Sequence, residues 1–296
     1  MSASIKDTIA ILGLGKVGTA MGFLLKSAGY RIIAVASRSE SSLKEGAAYT
    51  GGTPCPDFAE AAAQAEYIMI TTSDDAIAPV CESIAKGGAI HPGDRVIHMS
   101  GAGGLDLLNA ARNAGAHVAS IHPLQSFPDM EGAIRNIPGS TFGITAEDEV
   151  KDWAVRMVRS ISGVPFFVPE KDKPLYHAAA CIASNYLTTL IRAVEDIYET
   201  LGMSRDEAVR SFWPLVMGTL KNIETKGTAQ ALTGPIARGD IGTLRKHLEA
   251  FQAKMPSLLE FYCLLGTHTA DLGVSKKTLS PADAEEIKKI LRRYTS

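Results

Sequence analysis

The chain has 296 residues, 46% of them hydrophobic and 21% charged, with a formal net charge of -2 at pH 7. That length suggests two domains or one unusually large one, and the near-neutral balance argues against a nucleic-acid or anionic-membrane partner. No apolar run approaches the roughly 18 residues of a spanning helix, and no basic-then-apolar signal opens the chain, so a cytoplasmic protein is expected.

Ile9-Ala10-Ile11-Leu12 is a short apolar run of the kind that fills a parallel sheet. It leads into Gly13-Leu14-Gly15-Lys16-Val17-Gly18, a G-x-G-x-x-G. With 27 glycines in the chain, three such positions would match by chance about 0.2 times, so the motif alone is weak. Its setting between a strand and a helix strengthens it. Gly13 would make the tight turn, Gly15 would let a pyrophosphate approach the backbone, and Gly18 would let helix and strand pack closely. A helix is expected from Thr19 to Ala28, stopped by Gly29, with its N-terminal amides facing the phosphates. The next strand, Arg31 to Ala36, ends in Ser37-Arg38-Ser39. An NAD-binding version would carry an acidic residue there to hold the ribose 2′-hydroxyl, whereas a guanidinium and two hydroxyls suit a 2′-phosphate. The expected cofactor is therefore NADP(H). A solvated arginine at a strand end is the plain alternative.

Further strands are expected at Tyr67 to Thr71, Arg95 to Met99, His117 to Ile121, Thr141 to Ile144 and Pro165 to Val168, with a helix from Glu147 to Ser160. This alternation implies a doubly wound parallel sheet over residues 1–169, an α/β Rossmann domain. Beyond residue 170 only helix signals remain, so residues 170–296 are expected to form an all-α domain. Asp172 would cap a helix running to about Leu201, with Pro174 in its first turn. Ser204-Arg205-Asp206-Glu207 is a capping box, and its helix would bend at Pro214 and end near Thr225. Asp240 would cap a helix to Ala253, another would run from Pro256 to Leu272, and Ser280-Pro281-Ala282-Asp283 would open the last.

Cys55, Cys81, Cys181 and Cys263 are scattered without a C-x-x-C, which reads as free thiols in a reducing compartment. None of the seven histidines forms an H-x-x-x-H pair, so no metal site is expected. In open α/β sheets ligands bind beyond the carboxyl ends of the strands. Thr71-Thr72-Ser73, Ser100-Gly101-Ala102-Gly103-Gly104 and His122-Pro123-Leu124-Gln125-Ser126-Phe127 all fall there. Thr72, Ser73 and Ser100 are candidate cofactor contacts, and His122 could exchange a proton with a carbonyl. Lys173, Tyr176 and His177 share one helix face, with Ser184 and Asn185 farther along. Hydride transfer to a carbonyl creates an alkoxide that needs a proton donor or cation, and Lys173, His177 or Tyr176 could supply it. Arg238, in Thr233-Gly234-Pro235-Ile236-Ala237-Arg238-Gly239-Asp240, could pair with a substrate carboxylate. A surface lysine, a structural His-Pro turn and a structural helix entry are the plain alternatives for these clusters.

The His122 segment, Tyr176-His177-Ala178-Ala179-Ala180 with Ala183-Ser184-Asn185-Tyr186, and the Arg238 segment resemble the Rossmann-like predicted oxidoreductases with a C-terminal domain of unknown function (number 2520). That family sits in the 6-phosphogluconate dehydrogenase and ketopantoate reductase-like superfamily. The resemblance implies a bilobal reductase that dimerises through its helical domain. Ketopantoate reductases and 3-hydroxyacid dehydrogenases carry a catalytic lysine followed four residues later by asparagine. Lys173 matches the lysine, whereas His177 stands at the asparagine position. Prephenate dehydrogenases carry a His-Pro that His122-Pro123 matches. Tyr176, Ser184, Asn185 and Arg238 would contact the substrate.

The resulting expectation is an NADPH-dependent reductase of a small carboxylated ketone, with 2-dehydropantoate, reduced to pantoate, leading by analogy. Pyrroline-5-carboxylate, a 3-keto acid, a prephenate-like acid or a deazaflavin are other substrates, and a non-catalytic NADP(H) sensor is the competing class. The expected assembly is a homodimer through residues 170–296, with no nucleic-acid or membrane partner.

Overall fold

The computed structural model describes residues 7–295. Eight short strands form one sheet: β1 (Thr8–Leu12), β2 (Arg31–Ala36), β3 (Thr53–Pro54), β4 (Tyr67–Ile70), β5 (Arg95–His98), β6 (His117–Pro123), β7 (Thr141–Ala146) and β8 (Val164–Phe167). Their order is β3-β2-β1-β4-β5-β6-β7-β8. The core of that order, with β1 between β2 and β4, is the doubly wound Rossmann arrangement. The sheet is not wholly parallel. β7 pairs antiparallel with β6 and parallel with β8, so the last two strands run against the rest.

Alternation along the strands builds two cores. Ile9, Ile11, Val35, Met69, Ile97 and Ile121 face one side and pack with Met21, Leu25, Trp153 and Met157. Ala10, Leu12, Ala34, Ile68, Ile70, Val96 and Val118 face the other and pack with Ile77, Cys81, Ile84 and Leu108. Each fully buried Ile or Leu contributes about 1.5–3 kcal/mol of transfer free energy. Burial on both faces explains why β1, β4 and β5 read as unbroken apolar runs.

Two helix boundaries differ from the sequence reading. The first helix spans Lys16–Ser27 rather than starting at Thr19, because Gly15 is already its N-cap and Gly18 lies in its first turn. The single helix expected from Asp172 to Leu201 is three segments: Lys173–Cys181, a π-helical turn at Ile182–Tyr186, and Leu187–Thr200. Asp172 makes no side-chain cap there.

Compactness divides the chain into Met1–Asn185 and Tyr186–Ser296, later than the change of periodicity near 169/170. The Lys173–Cys181 helix clusters with the sheet because Lys173 is buried among strand ends. The second unit is helical, with Leu244, Leu248, Cys263, Ala270, Leu279, Ile287 and Leu291 at its core. The Ser204/Glu207 capping box forms as expected, Asp240 accepts from the Thr243 amide, and Ser280 accepts from the Asp283 amide. The helix Arg205–Lys226 continues through Pro214. It leaves Trp213, Leu215, Met217 and Leu220 exposed. All four cysteines are free thiols, and no described helix is long and apolar enough to cross a membrane.

Candidate functional site

The three glycines of the first turn are required for different reasons. Gly13 has φ +108°, and a Cβ there would lie 2.8 Å from the Thr72 amide nitrogen. At Gly18 a Cβ would collide with the Gly13 carbonyl and the Thr71 hydroxyl, which donates to that carbonyl at 2.5 Å. Gly15 is the opposite case: nothing lies within 4 Å of a Cβ built on it. The protein's own packing therefore demands Gly13 and Gly18. At Gly15 it leaves open space beside a helix N-terminus that no side chain caps, the cradle a pyrophosphate would fill.

The other expected cofactor residues fall into different settings. Leu14 is buried, and a Cβ at Gly46 would meet its side chain. Val17 packs on the core. Lys16 donates to the Pro128 carbonyl at 2.6 Å. Arg38 is exposed beyond β2, with Ser37 half-buried beside it. Ser39 caps the helix Glu40–Thr50 by accepting from the Ser42 amide at 3.3 Å. Arg38 thus stands at a helix N-terminus, a setting that favours a phosphate. Thr72 and Ser73 follow β4, with Ser73 at the N-cap of Asp74–Lys86 and making no side-chain cap. Ser100 is buried, and its hydroxyl already donates to Asp74 Oδ2 at 2.8 Å and accepts from the Gly103 amide at 2.9 Å. These partners engage the hydroxyl expected to contact the cofactor.

A second group gathers at the carboxyl ends of β5 and β6. His122 Nδ1 lies 3.1 Å from the Tyr176 hydroxyl. The His122 and His177 rings meet edge to face with centroids 5.8 Å apart. Both imidazoles rest on Gly101, where a Cβ would lie 2.8 Å from His122 Nε2 and would collide with the His177 ring. Gly143, which pairs with His122 across β6 and β7, makes room for Tyr176, since a Cβ there would lie 2.6 Å from the hydroxyl. Neither Gly101 nor Gly143 stood out as a site residue in the sequence. Their need for a missing side chain arises only from rings brought in from a distant helix.

Burial raises the pKa of the Tyr176 phenol, so it keeps its proton at pH 7. Either group can donate in the His122–Tyr176 bond; with the tyrosine proton directed to Nδ1, the ring proton of His122 lies on Nε2. Burial first, then the neighbouring His177 and Lys173, lower His122 to about 4. At pH 7 it is therefore a neutral imidazole.

Lys173, expected to face the substrate, is 1% exposed. Its amine donates to the Ser120 hydroxyl at 2.8 Å and the Ser100 carbonyl at 3.2 Å. Burial lowers its pKa to about 8, against the carboxylates of Asp74 and Glu170. Ser184 and Asn185 lie in the π-helical turn; such turns concentrate at functional sites. Arg238 is exposed on a short turn of the second unit.

Among the described residues, His117, Glu147 and Glu149 place ligand atoms within 4.8 Å of one another. Glu147 is already paired, accepting from Arg112 at 2.8 Å and from the Val118 amide at 2.9 Å. The adjacent guanidinium opposes a second cation, and we assign no metal there.

The sheet order and glycine turn define a Rossmann-like protein. Residues 3–123 match the model of a Rossmann-like domain, and residues 140–269 match that of DUF2520, a domain of unknown function. The chain is thus a Rossmann-like protein that carries a C-terminal DUF2520 domain. Among solved structures, a Bacteroides fragilis protein assigned as an NADP oxidoreductase superimposes with a TM-score of 0.73 at 21% identity, over 90% of this chain and 98% of that one. A Thermotoga maritima protein gives 0.72 at 22% identity, over 90% and 99%. A pyrroline-5-carboxylate reductase from Coxiella burnetii gives 0.59 at 16% identity, over 98% and 99%. At these identities the likeness establishes the fold. No curated protein matches the chain in sequence.

Proposed function

We propose that this protein is a cytoplasmic NADPH-dependent reductase of a small carboxylated ketone, with 2-dehydropantoate the leading substrate. The observation that carries the proposal is the open approach at Gly15, where the two neighbouring glycines are packed shut. It lies at the same sheet edge as a neutral histidine whose Nδ1 is held by a tyrosine hydroxyl. Gly15 and the first-turn amides would hold the pyrophosphate, and Arg38 with Ser37 would hold a 2′-phosphate. When bound, the nicotinamide supplies a hydride.

The charge of the site favours a ketone over an imine. Reduction of a ketone builds negative charge on oxygen, which a donated proton relieves. An iminium ion already carries its proton and would be repelled by the Lys173 ammonium nearby. His122 Nε2–H is the proposed donor. Tyr176 can pass its proton to Nδ1 as Nε2 releases its own, and the phenolate then regains a proton from solvent. His177, against the His122 ring, is the second proton-competent group. Arg238 is assigned to the substrate carboxylate; its loss should raise KM more than it lowers kcat, because a carboxylate is bound alike in ground and transition states.

We also propose a homodimer through residues 170–296, supported by the row of exposed apolar side chains on Arg205–Lys226.

The deciding assay is NADPH oxidation by purified protein against ketopantoate, a 3-keto acid, pyrroline-5-carboxylate and a deazaflavin. Ketopantoate turnover with a preference for NADPH over NADH of at least about tenfold, or about 1.4 kcal/mol, is expected. Arg38→Ala should erase that preference. Turnover of the imine alone would overturn the ketone reading, and NADPH binding without turnover of any carbonyl would leave the sensor reading in its place.

A further inference from the structure

Lys173 is a lysine at the first position of its helix, yet it is 1% exposed. Its amine, the Ser120 hydroxyl and the Ser100 carbonyl close a triangle, with the Ser120 hydroxyl also donating to the Ser100 carbonyl at 3.1 Å. A buried ammonium is retained only against a desolvation cost, and nothing in this triangle needs it for packing alone.

The loop after β5 is pinned at Ser100, Gly103, Gly104 and Leu105. His98, the last residue of β5, accepts from the Ser100 amide at 3.1 Å through Nδ1 and reaches the Gly104 carbonyl at 3.0 Å through Nε2. Ser100 bonds Asp74, and Gly103 bonds Ser100. The Leu105 amide donates to Glu170 Oε1 at 2.6 Å. Glu170 and Lys173 therefore strap the entry of the helix to one loop at two points. Gly101, the floor beneath His122 and His177, lies within that loop. Tyr176 stands one turn beyond Lys173.

We propose that Lys173 is a positioning residue: by tying the first helical turn to the ends of β5 and β6, its amine holds Tyr176 against His122 without touching substrate. This rests on the reductase reading only for its catalytic consequence; the geometric claim stands on the protein alone. The charges facing the amine are the carboxylates of Asp74 and Glu170. The rings of His98 and His122, both lowered to about 4 by burial, stay neutral as the pH passes 8. Deprotonation of Lys173, whose pKa burial lowers to about 8, is then the change that weakens the clasp, and turnover should fall above that pH.

The test is a histidine-ring nitrogen NMR titration of the full chain without cofactor, with His122 assigned from His122→Gln. The wild type should show one His122 tautomer, with Nδ1 as acceptor. Lys173→Met should give a mixture of tautomers, and Ser120→Ala, which keeps the amine but removes one of its partners, a smaller shift the same way. If Lys173→Met does not fold, Ser120→Ala carries the same readout. An unchanged His122 tautomer in whichever of these variants folds overturns the proposal, whatever the turnover. In kinetics with NADPH and ketopantoate as probe, both variants should lose kcat, by about tenfold for Lys173→Met, with KM nearly constant and the alkaline limb gone from Lys173→Met. If Lys173 instead donated the proton itself, Ser120→Ala would free the amine and leave kcat intact, and that result also overturns the proposal. A changed tautomer in a protein that reduces no carbonyl would sink the reductase reading and leave the positioning role standing.

Discussion

Replacing Gly143 by alanine adds one methyl group, yet it should disconnect the proposed proton donor. The new Cβ would sit 2.6 Å from the Tyr176 hydroxyl oxygen and 2.7 Å from the ring carbon that bears it. Ordinary contact needs about 3.4 Å or more, so the hydroxyl must retreat by about 0.8 Å. The bond to His122 is already 3.1 Å long, near the outer end of the range, so displacing the hydroxyl weakens or breaks it. Gly143 is not among the residues with positive φ, so the backbone accepts alanine without strain. Overpacking of this kind costs about 1–3 kcal/mol, or a fall in Tm of several degrees for a unit of this size. Loss of an oriented proton donor should lower kcat about 100-fold. NADPH affinity should hold, because the glycine turn is untouched. Steady-state kinetics and a fluorescence titration of NADPH read both effects. Tyr176→Phe should lose a similar factor, and the double variant little more than either single one. A Gly143→Ala protein that melts earlier but turns over at the wild-type rate would refute the Tyr176–His122 pair.

Gly15→Ala should fold with an unchanged Tm and bind NADPH at least about tenfold more weakly, a loss near 1.4 kcal/mol, since its Cβ enters open space. Gly18→Ala should be destabilised, because its Cβ meets the Gly13 carbonyl; equal Tm values for the two would contradict the division of roles. Light scattering should give a dimer at micromolar concentration, and Trp213→Asp with Leu220→Asp, at exposed positions of the Arg205–Lys226 helix, should give a monomer of normal helicity. Stability should fall as pH drops from about 6.5 toward 4, because the unfolded chain binds a proton that buried His98, lowered to about 4, excludes in the fold. The contribution of His98 over that window is about 3 kcal/mol, present in full above pH 6.5. Melting curves of His98→Gln should show a shallower acid dependence than the wild type, and parallel curves would remove His98 as the cause.

Much of the frame was legible along the chain. The apolar runs of β1, β4 and β5 announce strands buried on both faces, and Gly13-Leu14-Gly15-Lys16-Val17-Gly18 announces the turn between strand and helix. The caps at Ser204, Asp240 and Ser280 each satisfy the amide three residues on, so local sequence was sufficient for them. Ser37-Arg38-Ser39 carries its chemical message locally as well. Other features depend on partners far apart in sequence. The reversal of β7 and β8 is a matter of pairing, to which period-two alternation is blind. The π-helical turn at Ile182–Tyr186 interrupts a stretch whose apolar spacing continues as an ordinary helix on either side.

The proposed proton site belongs to this second kind. His122 and Tyr176 are 54 residues apart, and Lys173 is 53 residues from Ser120 and 73 from Ser100. The sequence by itself determined which side chains could carry a proton or bind a phosphate, because side-chain chemistry and short-range backbone geometry travel with the residue. Only the tertiary structure decided which of them meet, that Lys173 turns inward to brace two strand ends, and that Gly101 and Gly143 must lack a side chain. The physical reason is that burial, desolvation and close contact are properties of the space between elements, which the folded sheet and its helices create.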